Sequence, residues 1–166
     1  MNEKIKAKII AMTGICAAVI FSVTCFLRIP VPLPGGAYIN LGDSAIFTAA
    51  ILTGAYPAAI AAAFGSALAD LAAGAPVYIP ATFIIKGVMG FLFAKITEKS
   101  VNFKTYIAAA VLCGTVMIIG YGIYESLVFS IPFAVSSLPF NLIQAAGSVA
   151  VSAVLYKPVL KIKVLM

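Results

Sequence analysis

"ILTGAYPAAI", residues 51–60, decides how many times this chain crosses a membrane. Apolar sequence flanks it on both sides, from Leu41 to Gly74. Gly54 and Pro57 forbid one continuous helix, because proline removes a ladder hydrogen bond and clashes with the preceding turn. The stretch therefore separates a second helix, 41–56, from a third, 57–74, with Pro57 in the favoured first turn. Each would reach only about 25 Å at about 1.5 Å per residue. They are two crossings or a re-entrant hairpin.

The remaining breaks are plainer. A first helix, 5–27, ends at "RIPVPLPGG" (28–36). "AGAPVYIP" (73–80) precedes a fourth, 81–96, and a charged loop leads to a fifth, 106–131. "PFAVSSLP" (132–139) separates it from a sixth, 140–156. Hydrophobic residues make up 63% of the chain and charged residues 10%. A soluble domain is nearer half apolar and a quarter charged. Several segments approach the roughly 20 apolar residues that cross a bilayer. The expectation is an all-α integral membrane protein, one domain over 1–166, with six transmembrane helices. The first segment is too long for a signal peptide and has no small-residue cleavage site.

The charge of +6 could point to nucleic acid, but its positions point to lipid. Lys4, Lys6 and Lys8 precede the first helix. Lys95, Lys99 and Lys104 share one connection, and Lys157, Lys161 and Lys163 form the tail. With six crossings all three groups face the cytoplasm, as the positive-inside rule requires, near anionic lipid head groups. Merging the second and third helices would put the tail on the opposite face. Both termini are therefore expected to be cytoplasmic. The loops 28–40, 74–80 and 132–139 then lie outside, and none contains lysine.

There is no histidine, which excludes histidine catalysis and histidine-ligated metal. Cys16, Cys25 and Cys113 lie in apolar runs without metal-ligand spacing and read as small hydrophobes. No nucleophile–base pair and no phosphate loop is present. The chain is not expected to be an enzyme or to carry a cofactor or metal.

The polar groups that remain collect at the outer helix ends. Asn40 and Asp43 have the spacing of a capping box at the start of the second helix, and could also offer hydrogen bonds to a ligand. Asp70 lies late in the third helix, where the macrodipole disfavours an anion. Lys86 could meet it there, as a structural pair or as ligand contacts. Arg28 most simply snorkels to the head groups. Tyr121, Tyr124 and Glu125 share a face, as do Asn141 and Gln144. Tyr78 and Thr82 flank Pro80. The tyrosines could equally form an interfacial belt, and Asn141 could simply organise a helix start. Taken together, Tyr38, Asn40, Asp43, Asp70, Tyr78, Thr82, Lys86, Tyr121, Glu125, Asn141 and Gln144 outline a small-molecule site.

Two stripes of small residues let another helix approach closely. Ala7, Ala11, Gly14, Ala18 and Ser22 line the first helix, and Ala58, Ala61, Ala62, Gly65 and Ala69 the third. The third-helix stripe reads best as internal packing. For the first helix a partner protein is at least as good a reading.

"ADLAAGAPVYIPATFIIKGVMGFLFAKI" (69–96) resembles the central segment of S components of energy-coupling factor (ECF) vitamin transporters. "GGAYINLGDSAIF" (35–47) is similar to the first-loop and second-helix segment of one branch of them, and not to the riboflavin branch. The resemblance implies a binding subunit without chemistry of its own, in the multi-pass bacterial cell membrane. It implies docking through Ala7, Ala11, Gly14 and Ala18 on a transmembrane coupling subunit that carries two ATPase subunits. It further implies a vitamin or precursor bound beneath the loop after the first helix, with "GGAYINLGD" as gate and lip. A small heteroaromatic such as pyridoxine or the thiamin-precursor pyrimidine suits the side chains. Pantothenate would need Lys86 or Arg28 to face its carboxylate. The rival is an autonomous secondary transporter, which would place polar groups in the inner half and show inverted repeats.

Overall fold

The computed structural model describes residues 3–33 and 36–165. Six helices form the bundle: α1 (Glu3–Phe26), α2 (Gly42–Thr53), α3 (Ala55–Ala72), α4 (Ile79–Glu98), α5 (Phe103–Val128) and α6 (Ile131–Leu165). Five are long and apolar enough to cross a membrane, and α2 is not. A short hairpin, β1 (Arg28–Pro30) with β2 (Tyr38–Asn40), joins α1 to α2. The chain is an all-α integral membrane bundle of six helices, as its hydrophobic pattern predicts.

The break in 51–60 is real and sits slightly earlier than expected. Gly54 takes a positive φ of 81°, open to glycine without strain, and α3 starts directly after it. Pro57 falls within the first turn of α3, where its missing N–H costs no helical bond. The remaining 12 residues of α2 would span only about 18 Å. Nine of them, from Gly42 to Ile51, are buried. A helix apolar on every side belongs in a core, and α2 touches α1, α3, α4 and α6. It is an internal post that leads the chain back toward the lysine end, although it is itself shorter than the other five helices.

Around that post the other helices pack in the order α1, α3, α4, α5, α6. Phe47 of α2 stacks on Phe93 of α4 with centroids 4.6 Å apart, and Phe93 meets Tyr106 of α5 edge-on at 5.1 Å. The α3 stripe packs internally, as its reading favours. A Cβ on Gly65 would lie 2.6 Å from the Ala17 carbonyl oxygen of α1. Cys16 and Cys113 are buried, Cys25 is half-buried, and all three are free thiols.

α6 departs most from expectation. Residues 132–139 are helical, so the expected loop shrinks to Phe129–Ser130. Ser130 caps the new start, its Oγ accepting from Phe133 N at 3.2 Å. Pro139 loses one bond of the ladder, and the helix continues through it. The tail also stays helical beyond Tyr156, whose hydroxyl donates to Val101 O at 2.9 Å. The helix order puts every lysine group at one end of the bundle and the hairpin at the other.

Candidate functional site

At the hairpin end the helices enclose a cavity of about 50 Å³. The hairpin forms its roof. Arg28 pairs with Asn40 and Pro30 with Tyr38 in antiparallel register. Val31 N donates to Ala37 O at 3.1 Å and Leu41 N to Leu27 O at 3.3 Å, so the roof is a closed loop and not a loose tail. Gly35, part of the expected gate, lies outside the described residues.

Ten of the eleven expected residues line this cavity. Tyr38 and Asn40 come from the roof, Asp70 from α3, Tyr78 from the turn before α4, Thr82 and Lys86 from α4, Tyr121 and Glu125 from α5, and Asn141 and Gln144 from α6. Asp43 stands directly behind them at the top of α2, 1% exposed.

The pairing differs from that expected. Lys86 Nζ bonds Asp43 Oδ1 at 2.5 Å, and not Asp70. The cause is the central position of α2, which brings its first turn between α4 and α6. Gln144 completes this corner. Its Nε2 donates to Asp43 Oδ2 at 3.4 Å, and its Oε1 accepts from Asn40 N at 3.0 Å and Asn40 Nδ2 at 3.2 Å. Asn40 and Asp43 consequently form no capping box. Asn40 Oδ1 instead takes the Gly42 N–H at 2.8 Å, and the N-cap residue, Leu41, makes no side-chain bond.

Asp70 accepts from the Tyr38 hydroxyl through Oδ1 at 2.5 Å. Burial, reinforced by the neighbouring Asp70 carboxylate, pushes the Tyr38 phenol far above its ordinary pKa, so it remains the donor. Arg28 folds back over the Tyr38 ring, 5.7 Å from its centroid, where the sequence suggested a snorkel to the head groups. Glu125 is 3% exposed and accepts from Tyr78 at 3.3 Å and from Ser137. Thr82 and Tyr121 share a hydroxyl bond of 2.8 Å, and Tyr124 donates to Val77 O. The tyrosines face one another across the bundle and are no lipid belt: Tyr78 lies 6.2 Å from Tyr121 and 6.1 Å from Tyr124, centroid to centroid.

Seven lining residues were not among those expected: Val31, Leu33 and Ala37 of the roof segment, and Thr24, Ser66, Ser137 and Phe140 of the helices. Ser66 lies one turn before Asp70 on α3. Thr24 closes the buried face of α1, after Cys16 and Ile20 at four-residue steps. Ser137 begins the stripe that continues through Asn141 and Gln144, and the misplaced start of α6 concealed it.

The cavity has aromatic walls and convergent polar and charged groups, and it sits at one end of a membrane bundle. That combination defines a membrane-embedded binding protein for a small molecule. Residues 4–161 match the family described as ECF-type riboflavin transporter, S component, and the chain belongs to that family, so the NLGD lip does not set it apart as the sequence reading expected. It is thus a vitamin-transporter subunit and not an enzyme. It is 30% identical over 154 residues to the thiamine precursor transporter HmpT of Lactococcus lactis subsp. cremoris (strain MG1363), covering 93% of this chain and 87% of that protein. It is 31% identical over 128 residues to an uncharacterised protein of Pyrococcus woesei, covering 77% and 85% respectively. Its fold matches a solved S component of a bacterial ECF transporter with a TM-score of 0.77 at 21% identity, over 95% of this chain and 98% of that one.

Proposed function

We propose that this chain is the high-affinity binding subunit of an ECF importer for a small heteroaromatic vitamin or precursor, and that the thiamin-precursor pyrimidine fits best. The observation that carries this reading is the charge balance of the cavity. Its one lining cation among the described residues, Lys86, is already matched by Asp43, while Asp70 and Glu125 add acceptors. An anionic solute such as pantothenate would find no available ammonium there. A neutral or weakly basic ring finds acceptors and the faces of Tyr78, Tyr121 and Phe140. The relation to HmpT supports the pyrimidine over pyridoxine.

The enclosed volume is well below the roughly 300 Å³ at which small-molecule pockets begin. The hairpin roof therefore lifts for a ring to enter. The lysine-rich end faces the cytoplasm by the positive-inside rule, and the cavity opens outward, in a bacterial cell membrane. Ala7, Ala11, Gly14 and Ala18 are all exposed on α1, in contrast with the buried α3 stripe. They form the docking face for a transmembrane coupling subunit, with ATP hydrolysed by two further subunits. The arrangement favours this reading over an autonomous carrier, because the cavity and its charged residues are confined to one end.

The test is native mass spectrometry of the purified chain, followed by a thermal-shift screen of vitamins and precursors. Retention of, or stabilisation by, the pyrimidine is expected. Retained riboflavin, visible by mass and absorbance, would replace the substrate while keeping the class. No stabilisation by any vitamin or precursor would overturn the reading. Ala11→Trp should bind ligand like the wild type and abolish uptake; undiminished uptake would remove α1 as the docking face.

A further inference from the structure

Hydrogen-bond satisfaction divides the cavity into two sides. On the side built by α4, α5 and α6 the buried polar groups have partners. Tyr78 and Ser137 donate to Glu125, Thr82 meets Tyr121, and Gln144 holds both Asn40 and Asp43. On the side built by α1 and α3 two atoms lack one, as do Arg28 Nη1 in the roof and, away from the cavity, the Tyr106 hydroxyl and Ser148 Oγ. Thr24 Oγ1 and Asp70 Oδ2 are buried and lack a partner among the described residues. Their residues are 3% and 5% exposed, and both line the cavity.

Unpaired buried polar atoms are rare because each forfeits its hydration without recompense. Folding alone does not explain these two. Asp70 is fastened through Oδ1 to Tyr38, the Thr82 hydroxyl also lies near its carboxylate, and Oδ2 makes no hydrogen bond of its own and can still accept. Thr24 keeps its place because residue 42 is glycine: a Cβ there would lie 2.1 Å from Thr24 Oγ1. The sequence thus reserves room for a hydroxyl in the same small cavity as an unused carboxylate oxygen.

The chemistry of the pair selects a ligand. A carboxylate only accepts, whereas a hydroxyl can donate as well. Their complement is an N–H donor adjacent to an acceptor on one rigid edge. An exocyclic amine beside a ring nitrogen is such an edge. We propose that Asp70 and Thr24 form the recognition end of the site: Asp70 Oδ2 accepts from an amino substituent of a heteroaromatic ring, and the Thr24 hydroxyl donates to the neighbouring ring nitrogen. This rests on the binding-subunit reading above and narrows its substrate class to aminated rings. Pyridoxine and riboflavin carry no exocyclic ring amine and so cannot present an amine beside a ring nitrogen to this pair.

The experiment measures affinity by calorimetry on the purified full chain in detergent. The probes are the thiamin-precursor aminopyrimidine and its oxo analogue, in which a carbonyl replaces the amine. Wild type should prefer the amine by about tenfold to hundredfold, the range for a hydrogen bond to a charged group. Asp70→Asn should abolish or reverse that preference, because its amide can donate to the carbonyl. Thr24→Val should weaken aminopyrimidine binding by about threefold to tenfold, with an unliganded melting curve like that of wild type. Thr24→Val removes no bond within the protein, so it still decides the matter if Asp70→Asn does not fold. Unchanged affinity and preference in the variants would overturn the assignment. Wild type that binds a vitamin without a ring amine, and neither pyrimidine, would overturn it while leaving the binding-subunit reading intact. Wild type that binds no vitamin or precursor at all would overturn both.

Discussion

Two acidic corners meet under the same hairpin, and they are built to opposite ends. At the Asp43 corner every carboxylate oxygen is engaged, by Lys86 on one side and Gln144 on the other. At the Asp70 corner one oxygen is held by Tyr38 and the other is unmet. Each corner grips one residue of β2, Asn40 in the first case and Tyr38 in the second. The difference separates two tasks. The closed corner ties α2, α4 and α6 to the roof and sets the shape of the floor. The open corner keeps binding capacity in reserve.

The largest effect expected from this contrast is at Lys86. Lys86→Met strands the Asp43 carboxylate at 1% exposure. Removing one partner of a buried pair costs about 3–5 kcal/mol. Thermal denaturation in detergent should show a large fall in stability, and most of it should return in the double variant Asp43→Leu with Lys86→Met, where neither charge remains. If the single variant melts like wild type, the Asp43 corner is not the structural one.

The helix count and the cavity's place are legible in the sequence, whereas the contrast between the two corners is not. Gly54 and Pro57 marked the α2–α3 turn, and the lysine groups required an even number of helices. The acids, amides and tyrosines near one set of helix ends marked the cavity. The partner of Lys86 could not be read, because it depends on α2 being an internal post. Length and composition alone left a short apolar helix open to either role. Ser137 was hidden for a related reason. Pro139 looks like a helix break, and only packing against Glu125 and the Ser130 cap show that the helix starts earlier. Thr24 carried a faint signal, as one hydroxyl on an otherwise apolar α1 face, and only the cavity distinguishes it from an ordinary helix-end threonine.

A smaller effect should follow at Gln144, which joins the closed corner to the roof. Gln144→Leu leaves Asn40 N–H without its acceptor, and an unmet group of this kind costs about 1–3 kcal/mol. The Lys86–Asp43 pair survives, so stability should fall less than in Lys86→Met. The roof should loosen, and ligand should dissociate about tenfold faster in a stopped-flow chase. An unchanged dissociation rate would mean that α6 does not hold the roof shut.

The smallest effect expected is at Tyr38, which joins the open corner to the roof. Tyr38→Phe keeps the ring beneath Arg28 and deletes only the hydroxyl that donates to Asp70. Tyr38 is half-buried, so water can replace the lost donor, and the net loss should be about 0.5–1.5 kcal/mol. Affinity should drop by about threefold to tenfold. Its pH dependence adds a sharper check. Burial, above all, raises the phenol's pKa above the ordinary tyrosine value of about 10. A group raised on folding contributes below its unfolded pKa and loses that contribution only as pH climbs through the folded one. The penalty of Tyr38→Phe should therefore be the same at pH about 6 and about 9, both below the ordinary tyrosine value. A penalty that fades by the upper pH would mean that Tyr38 ionises there, and that Asp70 is held by something other than a phenol proton.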